Sequence, residues 1–141
     1  MEPKKKLVKL LAFVAVMAMI VILPVLALSD SKRTDIKNKQ SEARLILKQI
    51  YAMQKAYKLE KGVYWITASA AAASYPNAFT TIKIEIMPTA RYSYTISSTD
   101  AGVNSYVATA TCGILDEDAQ VDTWTINQFG VLMVTSDDAS T

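Results

Sequence analysis

Residues 10–28 of this 141-residue chain, LLAFVAVMAMIVILPVLAL, form an apolar run of nineteen positions broken only by Pro24. A helix needs about 20 apolar residues to cross the hydrocarbon core of a bilayer, so the run has the length of a transmembrane span. Lys4, Lys5, Lys6 and Lys9 precede it. The positive-inside rule then places the N-terminus in the cytoplasm and everything after residue 28 on the far side. A cleaved secretory signal is the competing reading, with cleavage after Ala27 or Ser29. The apolar run exceeds the roughly 7–15 residues of a signal core, which favours a retained anchor. Pro24 lies near the outer end of the span, where a membrane helix tolerates a kink. No cysteine follows the run, which excludes a bacterial lipoprotein anchor. The expected location is therefore the cytoplasmic (inner) membrane, single-pass, with the remainder in the periplasm or at the cell surface.

Behind the anchor comes KQSEARLILKQIYAMQKAY, residues 39–57. Ala43, Ile46, Leu47, Ile50, Met53 and Tyr57 recur at spacings of three and four, the stripe of an amphipathic helix. Lys39, Arg44, Lys48, Lys55 and Lys58 fall mostly off that stripe. Gly62 is the expected C-cap. Ser29, Asp30 and Ser31 supply capping side chains. A break between an anchor helix and a stalk helix is therefore favoured in LSDSKRTD, residues 28–35, and the alternative is one continuous helix over residues 7–61, about 80 Å long. Charge is divided along the chain. Residues 30–61 carry nine basic and four acidic groups, net +5, and residues 62–141 carry two basic and eight acidic, net −6. A basic stalk and an acidic head suit electrostatic register between copies or between unlike partners.

After Gly62 the pattern changes. VYWITASAAAASYPNAF, residues 63–79, reads as a linking loop, with a short helix as the alternative over residues 68–74 and a turn at Pro76-Asn77. Residues 80–87 alternate with Ile82, Ile84 and Ile86 on one side, as a strand does. Residues 91–98 alternate through Tyr92, Tyr94 and Ile96, and residues 105–113 through Tyr106, Ala108 and Ala110. Asp100-Ala101-Gly102 is the hairpin turn between these two. DTWTINQFGVLMV supplies two short strands around residues 127–130. The reading is α+β: one long N-terminal helix, membrane-spanning in its first half and amphipathic in its second, packed on an antiparallel sheet. The boundaries are 1–28 for the anchor, 29–61 for the stalk and 62–141 for the head.

Chemistry is sparsely represented. The chain has no histidine and one cysteine, Cys112. That removes Ser-His-Asp, Cys-His and His-metal sites and any intramolecular disulfide. No glycine-rich phosphate loop and no paired nucleophile and base are present, so no catalytic residue is assigned and an enzyme is not expected. The basic stalk lacks interleaved aromatics before Tyr51, so nucleic-acid binding is not expected either. One candidate metal site remains. In LDEDAQVDTW, Asp116, Asp118 and Asp122 fall at relative positions 1, 3 and 7 with Gln120 at 5, a spacing of oxygen ligands that suits calcium. The alternative is a solvated acidic turn whose carboxylates cap loop amides. The loop departs from an EF-hand, with Val121 in place of its glycine and Asn127 in place of its glutamate.

The segment KQSEARLILKQIYAMQKAYKLEKGVY resembles the stalk helix of type IV pilins and type II secretion pseudopilins, in which S-E-A-R and an aromatic-bearing helix lead through a glycine turn into the head. YVATATCGILDEDAQVDTWTINQFGVL is similar to the strands of pilin heads: small residues, an acidic loop, a Trp strand and a last strand after an N-x-x-G turn. The resemblance covers residues 37 to about 132. It implies a membrane-held structural subunit whose helix packs against like or related subunits in a pilus or secretion filament. It also strengthens the calcium expectation, since some pseudopilins hold calcium in a comparable loop. The N-terminus departs from the pattern. No glycine precedes the apolar run for the prepilin peptidase, the run contains no glutamate, and the stretch from Pro24 to the SEAR segment is several residues longer. The alternative function is a membrane-tethered or secreted periplasmic binding module of the same fold that does not polymerise.

Overall fold

The computed structural model describes residues 2–113, 115 and 119–138, and of residues 2–30 it describes only the helical backbone. Helix α1 spans Glu2–Lys61. It is followed by β1 (Thr67–Ala71), a 3-10 turn (Thr80–Ile82), β2 (Ser93–Ser97), β3 (Val107–Cys112), β4 (Asp122–Asn127) and β5 (Leu132–Ser136). The chain divides into two units, Met1–Asp35 and Ile36–Thr141. The first is helical throughout its described part. The second holds the rest of α1 and the whole sheet, so the class is α+β, as expected. No helical break appears over residues 28–35. Ser, Asp and Thr there have modest helix propensity, but residues 28–35 contain neither glycine nor proline, and a few such residues do not stop a helix. Among the described residues no helix is long and apolar enough to cross a membrane. The anchor expectation rests on residues 10–28, whose side chains lie outside the described ones.

The five strands form one antiparallel sheet in chain order, β1-β2-β3-β4-β5. Residues 98–106, 113–121 and 128–131 connect β2 to β5 in turn, whereas the longer segment 72–92, which carries the 3-10 turn, leads from β1 to its neighbour β2. The core-facing row of α1 is Ile36, Gln40, Ala43, Leu47, Ile50 and Gln54, all buried. Its 4-3-4-3-4 spacing is the period of one helix face. It packs on the inner face of the sheet, where Tyr94 and Ile96 (β2), Ala108, Ala110 and Cys112 (β3) and Ile126 (β4) join it in one core. Alanines on the central strand leave room for the helix backbone to approach, and the tyrosines of β2 fill the space beside it. Gly62, at φ +81°, ends the helix and donates its N–H to the Lys58 carbonyl at 2.8 Å. A left-handed residue at this point is the usual helix terminator.

Two expectations over residues 63–87 need correction. The Ala/Ser segment is neither loop nor helix over residues 67–71 but the edge strand β1, paired antiparallel to β2 with an irregularity between Thr67 and Ala71. Residues 80–87 are not a strand. Lys83 adopts a left-handed conformation (φ 58°) that breaks the extended run. The backbone then bonds within its own loop: Ile84 N–H to the Phe79 carbonyl at 3.2 Å and Ile86 N–H to the Pro76 carbonyl at 3.0 Å. Ile82, Ile84 and Ile86 are nonetheless all buried. The alternation correctly marked which side chains face the core, while the hydrogen bonds went elsewhere. The remaining four strands fall where expected. The hairpin turn of residues 100–102 places both Ala101 and Gly102 at positive φ. The Ser98 hydroxyl beside Asp100 holds its carboxyl down at about 2.

Candidate functional site

Among the polar contacts that fasten α1 to the head, three use a buried or half-buried helix side chain that hydropathy alone would leave in solvent. Gln54 is fully buried. Its Nε2 donates to the Trp65 carbonyl at 2.7 Å, and its Oε1 accepts the Trp65 N–H at 2.9 Å. The amide thus supplies both halves of a β-bridge to the chain just before β1, where no strand is available to do so. Glu42, the acidic residue of the SEAR segment, accepts the Arg91 N–H at 3.0 Å and the Tyr92 N–H at 3.3 Å through Oε1. It also accepts the Tyr94 hydroxyl at 3.3 Å and lies 3.9 Å from the Arg91 guanidinium. It therefore caps the entry into β2.

The third contact centres on Asp122, the first residue of β4 and completely buried. Its Oδ1 accepts from Gln40 Nε2 at 2.8 Å and from the Asp138 N–H at 3.1 Å. Its Oδ2 accepts from the Tyr92 hydroxyl at 2.6 Å and from the Trp124 indole N–H at 2.7 Å. Four donors on two oxygens, two of them closer than an ordinary N–H···O bond, mark charge-assisted bonding that offsets the burial of a carboxylate. Gln40 spends its second N–H on Asp137 at 2.8 Å. The cluster thereby ties α1, β2, β4 and the segment after β5 together. Burial pushes the Tyr92 phenol well above its usual range, and the Asp122 carboxylate pushes it further. Tyr94 moves the same way, through burial first and the Glu42 charge second.

Of the three expected calcium ligands, the structure places Asp122 in this cluster, and Asp116 and Asp118 lie outside the described residues. A cation at Asp122 would have to displace one of its four donors. Gln120 donates to the Asp137 carbonyl at 3.0 Å, and Lys39 Nζ donates to the Leu115 carbonyl at 2.9 Å. Both described ends of the acidic loop are thus held against the rest of the unit. Among the described residues no group of three or more His, Cys, Asp or Glu side chains is arranged to hold a metal ion. Cys112 is buried on the inner face of β3.

The side of α1 facing away from the sheet carries a second apolar row. Leu45 is 68% exposed and Leu59 is 89% exposed, with the exposed Ala52 and Ala56 between them. Their 7-4-3 spacing keeps them on one line, directly opposite the Ala43–Leu47–Ile50 row. Two alanines in its middle would let another helix approach closely. Arg44, Tyr51 and Lys55 lie on one flank, with Arg44 stacked 5.6 Å from the Trp124 ring and Lys55 5.5 Å from that of Tyr51. This row was missed from sequence because two alanines and two leucines dispersed among lysines give no strong hydropathy signal. Its signal is the seven-residue repeat.

Comparison with protein-family models, with curated proteins and with solved structures yields no match to this chain.

Proposed function

We propose that the chain is a membrane-anchored, pilin-like structural subunit, held by residues 10–28 in the cytoplasmic membrane, that assembles with like or related subunits in a type IV pilus or secretion pseudopilus. The observation that carries this reading is the double-faced stalk. One row of α1 is used up in its own head, and a second, Leu45–Ala52–Ala56–Leu59, is left in solvent at helix-pairing spacing. Monomeric proteins do not gain by exposing an aligned apolar row on a long helix, whereas a helix-packed assembly buries it. The basic stalk and acidic head supply complementary charge for a stalk-to-head contact between subunits.

The test is the size of the detergent-extracted full chain. The native chain should sediment as an oligomer. Leu45→Lys/Leu59→Lys, at two exposed positions, should sediment as a monomer with an unchanged melting temperature. A native chain that is already monomeric contradicts the reading. That result is what the second reading, a tethered binding module that does not polymerise, requires. The apolar run without glycine before it or glutamate within it favours that second reading.

A further inference from the structure

Strand β5 is an edge of the sheet, with β4 on one side and no strand on the other. The Asn127 N–H donates to the Val131 carbonyl at 3.4 Å, and from there Ile126 faces Leu132, Thr125 faces Met133 and Trp124 faces Val134. Bonded and non-bonded pairs alternate along an antiparallel ladder, so Val131 and Met133 turn their backbone groups to β4. The N–H and C=O groups of Leu132 and Val134 therefore point away from the sheet. Proteins usually blunt such an edge with charge, proline or a bulge. The opposite edge, β1, has an irregular register. In β5 the pairing is regular from Leu132 to Val134, and none of its residues is charged or proline. Met133 and Val134 are exposed. Beyond Ser136 the chain turns back to α1, where Asp137 accepts from Gln40.

The flank of α1 on this side is cationic. Arg44 stacks 5.6 Å from the Trp124 ring of β4, and Tyr51 lies against Gly130 of the β4–β5 turn. Lys48 sits about one helical turn from both, and Lys55 lies 5.5 Å from the Tyr51 ring. Arg44, Lys48 and Lys55 are exposed, and among the described residues none of them is in an ion pair. A strand added to β5 puts every second side chain on the face of the sheet that α1 covers, the side where these cations stand. A second copy is a poor occupant. Pairing β5 with β5 would set two such flanks over one continued sheet, cation to cation.

We infer that the β5 edge takes an extended segment of another protein that carries carboxylates at alternate positions. Backbone bonds to Leu132 and Val134 supply affinity, and the carboxylates on the α1 side supply selectivity. The contact uses none of the Leu45–Ala52–Ala56–Leu59 row and does not require the chain to polymerise.

The test is fluorescence anisotropy on the full chain in detergent with a short labelled peptide of alternating valine and glutamate. Val134→Pro removes an N–H that the native ladder does not use, so the sheet keeps its bonds while an incoming strand loses one. Lys48→Glu/Lys55→Glu reverses the charge at two exposed positions. Each should weaken binding at least tenfold, and the charge-reversed chain should instead bind a valine–lysine peptide that the native chain does not. The charge swap decides the matter even where the proline lowers the melting temperature. Absence of binding to the native chain overturns the inference. Binding indifferent to Val134→Pro shows adhesion by charge alone and removes the edge from it. Equal affinity for a valine–serine peptide removes the acidic selectivity. In a Cys112→Ala background, disulfide-linked dimers through Met133→Cys without peptide would replace the acidic partner by a second copy.

Discussion

Replacing Asp122 by asparagine removes one charge and changes almost no volume, so its cost isolates the polar cluster. The carboxylate accepts four bonds from groups that can only donate, except the Tyr92 hydroxyl. The best arrangement of the amide keeps its oxygen toward Gln40 and Asp138. Its NH₂ then faces Tyr92, which can turn to accept, and the Trp124 indole N–H, which cannot. Gln40 cannot relieve the conflict by flipping, because its Nε2 also holds Asp137. One donor is left opposed, at about 1–3 kcal/mol, and the retained bonds lose charge assistance worth about 1 kcal/mol more. The expected loss is about 3 kcal/mol, a large share of the 5–15 kcal/mol typical of a domain. For a unit of this size that lowers the melting temperature by roughly 12–20 °C. The assay is thermal unfolding of the full chain in detergent, followed by tryptophan fluorescence. Trp124→Phe in the same background removes the opposed donor and should recover a substantial part of the loss, a coupling that a double-mutant cycle reads directly. Melting of Asp122→Asn within about 2 °C of the native chain would refute the reasoning, as would strict additivity with Trp124→Phe.

Four further outcomes follow from the same structure. Gln54→Leu keeps the volume but strands the Trp65 N–H and carbonyl, and should cost about 2–4 kcal/mol in chemical denaturation; an unchanged midpoint would contradict the bridging role. Among the described residues the buried Tyr106 hydroxyl has no hydrogen-bond partner, so Tyr106→Phe should be neutral or stabilising by up to about 1 kcal/mol, whereas Tyr92→Phe should cost about 1.5–3 kcal/mol. Equal effects in the two melts would be inconsistent with the contrast. The phenols of Tyr92, Tyr94 and Tyr106 are all raised, chiefly by burial, so the folded state holds protons that the unfolded chain releases above pH ~10. Stability should be complete below that pH and fall above it, by as much as about 4 kcal/mol per pH unit if all three contribute, and a flat melting temperature between pH 9 and 11 would oppose this. If the acidic loop binds calcium, Asp116→Asn/Asp118→Asn lowers the melting temperature in calcium and not in chelator; an equal drop in both would remove the cation.

How far the sequence discloses this architecture depends on where side-chain pattern and hydrogen bonding agree. They agree in β2, β3 and β4, where alternation is clean, and in the N-x-x-G turn, so those elements are legible. They part at residues 80–87, where the isoleucines alternate inward but Lys83 turns the backbone. They part again at β1, whose alanines and serines have little strand preference and pair because β2 offers an edge. The polar fastenings were hidden for a different reason. Gln40 and Gln54 occupy the core row of α1, and a hydropathy pattern scores them as surface. Asp122 reads as the end of an acidic loop, yet it shares parity with Ile126 on β4. That parity was the available sign that it faces inward, and it becomes compelling only once Tyr92 and Trp124 are known to converge on it.

The central claim is that α1 uses two opposite faces, one for its own head and one for another subunit. Single cysteines placed in turn at residues 41–60 of the full chain, in a Cys112→Ala background in membranes, test it by oxidative cross-linking. The account predicts dimers at positions 45, 52, 56 and 59 and none at 43, 47, 50 and 54, a pattern with the period of a helix. Cross-linking that is absent throughout, or that is uniform along the stalk, would contradict it.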